Sequence, residues 1–480
     1  VKPPKNFDFL GPPPYEHQIE TLLFTKSRPY AGILLEMGLG KTRCAIDTAR
    51  WKIPKEGIKS VLVVAPTSTL FSWKRQIETF SEYTATVLIG PKEKRIHLLQ
   101  QKKTKFFIIN YEMLKPLIKE LTKKRFDMLI FDESARYIKN PEAGRTKAAI
   151  YLSDRKWVKC RLILTGTPIA DKPLDIWSQF RVLDGGKAFS QSFYTFRHFF
   201  FDEIRRRQWK EYRLKSERHK QIITKTIKKC CIRKTKEECL DLPERIFEVV
   251  EVKMSPELKR LYKAIEEKVL DEIEIEGKQM TIKNILTKLL RLQQITGGFI
   301  KTDQGTETKL DYTPKLDALV EQIEMIIDNG SSVVVWCRFL KSMDIIAEEL
   351  KRRKIRFITM SGRDGKKKDQ LWQKFQNSDI PVFISQIQAG GEGIDLFKKH
   401  EKFKDKIQYC IFYENMWSLD WRLQAQDRIH RIGQENTCIY KDLVVKGTID
   451  ERILQVIKTK KKVADWIMEE GIESILRRKK

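Results

Sequence analysis

Long apolar runs, glycine- and serine-rich linkers and internal repeats are all missing from this chain of 480 residues. No stretch of 18 or more apolar residues occurs, which excludes a helix that spans a bilayer. The stretch VKPPKNFDFLGPPP carries no cleavable-signal pattern, and a soluble intracellular protein is expected. Cysteine is sparse: Cys44, Cys160, Cys230, Cys231, Cys239, Cys337, Cys410 and Cys438 lie scattered, with no C-x-x-C pair and no partnered histidine spacing. They read as reduced thiols, not as a disulfide frame or a zinc site. Acidic residues are also short, 64 Asp plus Glu against 93 Lys plus Arg, a formal net charge of +29. Such a surface attracts polyanions. Nucleic acid is the expected partner, with an anionic membrane surface as the competitor.

What is present is alternation. The β-branched runs VLVVAP (61–66), FFIIN (106–110), MLIFDE (128–133) and RLILTGT (161–167) read as buried strands, each followed by helical sequence. That pattern predicts a parallel α/β sheet. From about 186 the chain loses strand runs and carries aromatics among dense charge, so 186–305 is expected to be mainly helical. SSVVVWC, IRFITMSG, PVFISQIQAGGEG and IQYCIFYEN then predict a second parallel sheet. The expected organisation is a first α/β lobe over 1–185, a helical insertion and linker over 186–305, a second α/β lobe over 306–457, and a basic amphipathic helix over 458–480 with no further domain after it.

The stretch AGILLEMGLGKTRCAIDTA has what phosphate binding requires. An apolar strand leads into a turn at Gly38 and Gly40, and Lys41 and Thr42 open a helix. Backbone N–H groups, a lysine and a hydroxyl thereby meet at a helix N-terminus. The usual spacing would place glycine where Leu35 stands, and a lone GKT also suits an ordinary glycine turn. Downstream, MLIFDE ends in adjacent carboxylates. Asp132 is suited to hold magnesium through water and Glu133 to polarise the attacking water.

Nine ordered blocks resemble the SWI/SNF-like ATPases of helicase superfamily 2. They are PPYEHQIETLLF, EMGLGKT, VLVVAPTSTLFSWKRQIETF, IINYEML, FDESARYIKN, LTGTPIADKPLDIWSQF, CIRKTKEECLDLPER, ISQIQAGGEGIDL and LQAQDRIHRIGQ. The resemblance implies two RecA-like lobes in tandem, with ATP and magnesium as cofactors. It assigns Gln18 to the adenine edge and the loop Met37, Gly38, Leu39, Gly40, Lys41 and Thr42 to the phosphates, with Thr42 and Asp132 on the metal. Glu133 becomes the catalytic base. Thr165, Gly166 and Thr167 couple the ATP site to nucleic acid, and Gln424, Arg428 and Arg431 close over the nucleotide from the second lobe. In this family the loop turn is built by the later glycine pair, so Leu35 is compatible with it. The spacing in QAQDRIHR predicts Gln424, Arg428 and Arg431 on one helix face, with both arginines able to reach a γ-phosphate. Nucleic-acid contacts are expected from the loops Pro66–Thr67–Ser68 and Gln388–Ala389–Gly390.

Some positions depart from the family pattern. Ala135 stands where many relatives have histidine, Trp417–Ser418–Leu419 replaces Trp–Asn–Pro, and RLQQITGGF replaces a cysteine–histidine–proline motif. Ala135 is expected to alter the coupling of hydrolysis to nucleic acid; the other two variants look more like phage and bacterial members, and with no histone-reading segment present a nucleosome substrate is not expected. The expectation is a monomeric cytoplasmic ATP-dependent translocase on double-stranded DNA, branched DNA included, of a bacterial or phage-infected cell and associated with the nucleoid. The alternatives are a strand-separating helicase of the same superfamily and an ATPase-inactive DNA-binding scaffold. The run RRRQWKEYRLKSERHK (205–220), with Trp209 and Tyr212 among its basic residues, is either a backbone-tracking patch or a solvated charged surface.

Overall fold

The computed structural model describes residues 1–459 apart from 102, 167–172, 206–209, 240–242, 277–281, 303–304, 391–393 and 432. The chain divides into two compact units, Val1–Asp241 and Leu242–Lys480.

The first unit is built on a 7-stranded sheet in the order β3-β4-β2-β5-β6-β1-β9. Its strands are β1 (Tyr30–Leu35), β2 (Val61–Ala65), β3 (Ala85–Val87), β4 (Phe106–Asn110), β5 (Met128–Phe131), β6 (Cys160–Leu164) and β9 (Cys231–Lys234), while β7 (Phe201–Arg205) and β8 (Lys210–Leu214) form a separate antiparallel hairpin. Every pairing in the sheet is parallel. The unbroken apolar runs follow from burial on both faces. Val61, Val63 and Ala65 point into one core with Ile108 and Ile130, and Leu62 and Val64 into the other with Phe107, Ile109 and Phe131. The first core is closed by the helices Lys41–Glu56 and Leu70–Phe80, through Cys44, Ile46, Ala49, Leu70, Trp73 and Ile77.

The second unit holds a 6-stranded sheet in the order β10-β17-β16-β13-β15-β14. Here β10 is Arg245–Val252, β13 Ser332–Cys337, β14 Phe357–Met360, β15 Val382–Gln386, β16 Gln408–Phe412 and β17 Cys438–Val445. A small hairpin joins β11 (Phe299–Lys301) to β12 (Glu307–Lys309). This sheet is also parallel throughout, and its strands β13, β15 and β16 are buried on both faces.

The segment 186–305 is mainly helical, in Phe193–Phe200, Glu217–Cys230, Pro256–Glu276 and Ile282–Thr296, but the expectation that it lacks strands requires correction. The unit boundary falls inside it, and it contributes β9 to the edge of the first sheet and β10 to the edge of the second. Both escape pattern reading because edge strands tolerate charge and half-exposure. CIRK is four residues long, and RIFEVVEV is half-exposed along most of its length. Of the expected C-terminal helix, Lys458 and Thr459 lie in the helix Ile449–Thr459. Its remainder, 460–480, lies outside the described residues, as does Trp209.

In the second unit, Lys315 and Asp450 form an ion pair of 2.6 Å with side chains 2% and 5% exposed. Thr296 Oγ1 donates to the same carboxylate at 3.0 Å. The pair ties the helix Pro314–Asp328 to Ile449–Thr459. Lys315→Met would strand a buried carboxylate, and a loss of roughly 3–5 kcal/mol is expected. Urea unfolding of wild type and variant checks this, and an unchanged midpoint would contradict it.

Candidate nucleotide site

Because both sheets are parallel, all loops that follow strands emerge at one edge, where open α/β sheets bind ligands. In the first unit the strand order places three of the predicted segments side by side. The Asp132–Glu133 tip of β5, the Thr165–Gly166 tip of β6 and the glycine loop after β1 are consecutive along that edge. Strands spaced about 4.8 Å apart put the acids and the loop roughly 10 Å from one another.

The loop is shaped by its glycines. Gly38 and Gly40 hold φ +88° and +78°, and Gly40 caps the helix Lys41–Glu56. The positive φ of Gly40 favours glycine, and a Cβ there would also push aside the tip of the Gln18 side chain, whose Nε2 lies 2.4 Å away. Leu35 is the buried last residue of β1, and its carbonyl accepts from Lys41 Nζ at 3.0 Å. The lysine therefore curls over the loop into which phosphate oxygens would fit. Gln18 is buried and braces this loop: its Nε2 donates to Leu39 O at 3.4 Å and its Oε1 accepts from Tyr15 N at 3.2 Å. His17 Nε2 meets the same Leu39 carbonyl at 2.8 Å.

Asp132 is 6% exposed. Its carboxylate accepts from Trp73 Nε1 at 2.8 Å and from Glu133 N at 3.0 Å. Burial, and then the neighbouring Glu133, push its pKa up to about 7, against the pull of the Trp73 bond and the Lys41 charge. A buried acid beside a lysine, a threonine hydroxyl and a glycine loop fits a magnesium ion that keeps phosphate and water among its ligands. Glu133 adopts φ +48°, a left-handed conformation uncommon for a residue other than glycine. Ser134 Oγ donates to Gln179 Oε1 at 3.0 Å, anchoring the acid turn to the helix Ile176–Asp184. Ala135 is buried.

Thr165 is buried, and its N–H donates to Ile33 O at 3.2 Å. Gly166 sits against the loop, a Cβ there being 3.6 Å from Met37 Cγ and 3.8 Å from Leu35 O. Thr167 lies outside the described residues. Pro66 is buried at the end of β2, next to β5, while Thr67 and Ser68 are exposed in a single 3-10 turn.

In the second unit the expected single helix face for Gln424, Arg428 and Arg431 is not formed. The helix spans Leu419–Gln426 and ends before both arginines. Beyond it the backbone tightens into turns, Arg428 N donating to Ala425 O at 3.3 Å, and side chains join in: Tyr440 Oη donates to Gln426 O at 2.9 Å, and Arg428 Nε to Gln424 O at 3.2 Å. The two guanidinium groups nonetheless converge, each donating from Nη1 to Ile394 O at 3.2 Å, and Arg431 is also ion-paired with Asp395. Gln424 is buried and its Oε1 has no hydrogen-bond partner among the described residues. Gln388, Ala389 and Gly390 form a helical turn after β15, with Gln388 exposed. A Cβ on Gly390 would lie 2.4 Å from the Trp336 ring. Gly391 and Gly393 lie outside the described residues.

Pattern reading assigned no role to Trp73, Tyr111, Gln179 or Lys236. Tyr111 Oη donates to Asp132 O at 2.5 Å, and Glu36, at the start of the loop, is held twice: its N–H donates to Lys234 O of β9 at 3.0 Å, and its Oε2 accepts from Lys236 N, just beyond β9, at 2.8 Å. Leu70, Trp73 and Ile77 recur at helical spacing and read as core, which hides the polar tip of the indole. Trp73→Phe keeps the ring and removes the donor. The expected result is a roughly tenfold or greater fall in ATP turnover with the fold retained, read by steady-state hydrolysis alongside circular dichroism. Wild-type turnover would show that the bond is dispensable.

Comparison with known proteins agrees with this geometry. The SNF2-related domain matches residues 17–297 and the helicase conserved C-terminal domain residues 314–433. An uncharacterized ATP-dependent helicase of Mycoplasma pneumoniae is 29% identical over 92% of this chain and 41% of its own length. The Bacillus subtilis protein YwqA, provisionally named an ATP-dependent helicase/translocase, is 26% identical over 95% of this chain and 48% of its own. The chain thus spans less than half of these curated relatives. The helicase domain of Pyrococcus furiosus Hef has the same fold at a TM-score of 0.55, with 15% identity, over 93% of this chain and 98% of that one. With more than half of its residues matched by the SNF2-related domain, the chain belongs to the SNF2-related family of superfamily 2 ATPases.

Proposed function

We propose that this chain is an ATP-driven translocase on double-stranded DNA, using ATP hydrolysis to remodel DNA or displace bound protein, in the cytoplasm of a bacterial cell. The observation that carries the ATPase half is the sheet edge. Lys41 and Thr42 at one tip and Asp132 and Glu133 at another flank Thr165 and Gly166.

Lys41 and the loop N–H groups bind the β- and γ-phosphates. Thr42 and Asp132 hold magnesium, which when bound neutralises charge on the phosphate oxygens. Glu133 orients and deprotonates the attacking water, and Arg428 and Arg431 stabilise the charge that develops on the terminal phosphate. Thr165 and Gly166, between acids and loop, couple the state of the phosphate to the nucleic acid, with the β2 loop lying beyond β5 along the same edge.

The DNA half rests on the net charge of +29 and on family membership. Contacts to a duplex backbone from Thr67, Ser68 and Gln388 would be independent of sequence and weakened by salt. Displacement of the third strand from a triplex, without separation of the underlying duplex strands, is the outcome that supports translocation. Strand separation would replace this reading with that of a helicase.

A further inference from the structure

The helix Phe193–Phe200 carries aromatic rings on both of its faces. Phe196 and Phe200 are buried in the first unit's core. On the solvent side Tyr194 is 66% and Phe199, on the flank of the helix, 54% exposed, with His198 also exposed. Both rings stand more than half in water, Phe199 while also touching the buried Phe200 edge-on at 4.8 Å, and exposed aromatic surface of this kind on one short helix calls for a reason.

Their surroundings are cationic. Tyr194 stacks on the His198 imidazole at 6.2 Å, and the Arg197 guanidinium lies 5.5 Å from the Tyr194 ring and 4.9 Å from that of Tyr212. Phe199 meets the His219 ring edge-on at 5.5 Å. The backbone brings the next basic segment alongside, Lys215 N donating to Phe200 O at 3.0 Å. Lys215, Arg218 and Lys220 are exposed there, with Glu217 as the acid that pairs with Lys220 at 3.1 Å. An exposed pair of that kind holds its lysine only weakly. Across 205–220 the sequence has eight Lys and Arg against two Glu.

We infer that this face is a platform for unpaired nucleotides, with bases stacking on Tyr194 and Phe199 and their phosphates lying along Lys215, Arg218 and Lys220. Exposed aromatic rings edged by cations suit a ligand that is flat and apolar on its faces and anionic along its backbone. A dry protein partner would have to bury the same cations without compensation. The inference rests on the DNA-translocase reading and extends it. The machine recognises duplex that ends in, or branches into, a single strand.

The test uses fluorescence anisotropy with the full chain and three labelled DNAs: a blunt duplex, the same duplex with a single-stranded thymidine arm, and that duplex with an arm of abasic sites. Wild type should bind the thymidine-arm duplex roughly tenfold or more tighter than the blunt one. The abasic arm should recover little of that gain. Tyr194→Ala combined with Phe199→Ala should erase the preference. Blunt-duplex affinity and duplex-stimulated ATP hydrolysis should stay unchanged, because neither ring belongs to the nucleotide site. Tyr194→Phe should keep the preference. A wild type without arm preference, an abasic arm that binds as tightly as thymidine, or a double variant that retains the preference would each overturn the platform. Wild-type protein that binds the thymidine arm but neither binds nor is stimulated by blunt duplex would count against the translocase reading and leave the platform standing.

Discussion

Glu133→Gln should abolish ATP turnover while leaving ATP and DNA binding intact. Glu133 follows the last buried residues of β5 and is held at φ +48°. That conformation is costly for a residue with a side chain, and such strain tends to persist where surrounding structure enforces it at functional sites. Here the enforcement is visible: Asp132 is fixed by Trp73 and Tyr111 on one side, and Ser134 by Gln179 on the other. Glutamine preserves size and hydrogen bonding but cannot take a proton from water. A loss of at least roughly 10²-fold follows if Glu133 is the general base. Lys41→Ala is the contrasting variant, because removing the phosphate-binding ammonium should cost nucleotide affinity as well as rate. Fluorescent-nucleotide binding and steady-state hydrolysis, measured side by side, separate the two. Normal hydrolysis by Glu133→Gln would remove Glu133 from the base's role.

Arg431→Ala should lower the hydrolysis rate by roughly 10³-fold or more, the magnitude associated with an arginine that stabilises charge on a transferring phosphoryl group. Arg431 and Arg428 share one acceptor, Ile394 O, and Asp395 pairs with Arg431. Two guanidinium groups are thereby held together on a single turn, which costs electrostatic repulsion and is useful where a multiply charged anion is to be met. Arg431→Lys should rescue little, since an ammonium cannot reproduce the planar fork. Single-turnover hydrolysis at saturating ATP is the measurement. A rate within a few-fold of wild type would place Arg431 outside the site.

The sheets were legible because burial on both faces makes a strand a continuous apolar run, as in VLVVA and SVVVWC. The glycine loop and the acid pair stood out in the sequence because the chemistry proposed for them demands particular residues at short spacing, and the strand order sets them along one sheet edge. Edge strands were not: CIRK and RIFEVVEV carry charge or half-exposed positions, so neither run stands out from helical sequence around it. The helix face proposed for Gln424, Arg428 and Arg431 failed for a related reason. Sequence spacing cannot register that the backbone tightens into turns beyond Gln426, with Arg428 N on Ala425 O and the Tyr440 hydroxyl on the Gln426 carbonyl. Convergence of the arginines on Ile394 O is a tertiary fact, as is the indole bond to Asp132. Periodicity around Trp73 reports only that its ring is buried.

The most direct test of the central reading is steady-state ATP hydrolysis by wild type and Glu133→Gln, with no nucleic acid, single-stranded DNA, double-stranded DNA and double-stranded RNA. Strong stimulation by duplex DNA that is lost in Glu133→Gln is the predicted result. Best stimulation by single strands would favour a strand-separating helicase, and no hydrolysis by the wild type with any of them would contradict the ATPase itself.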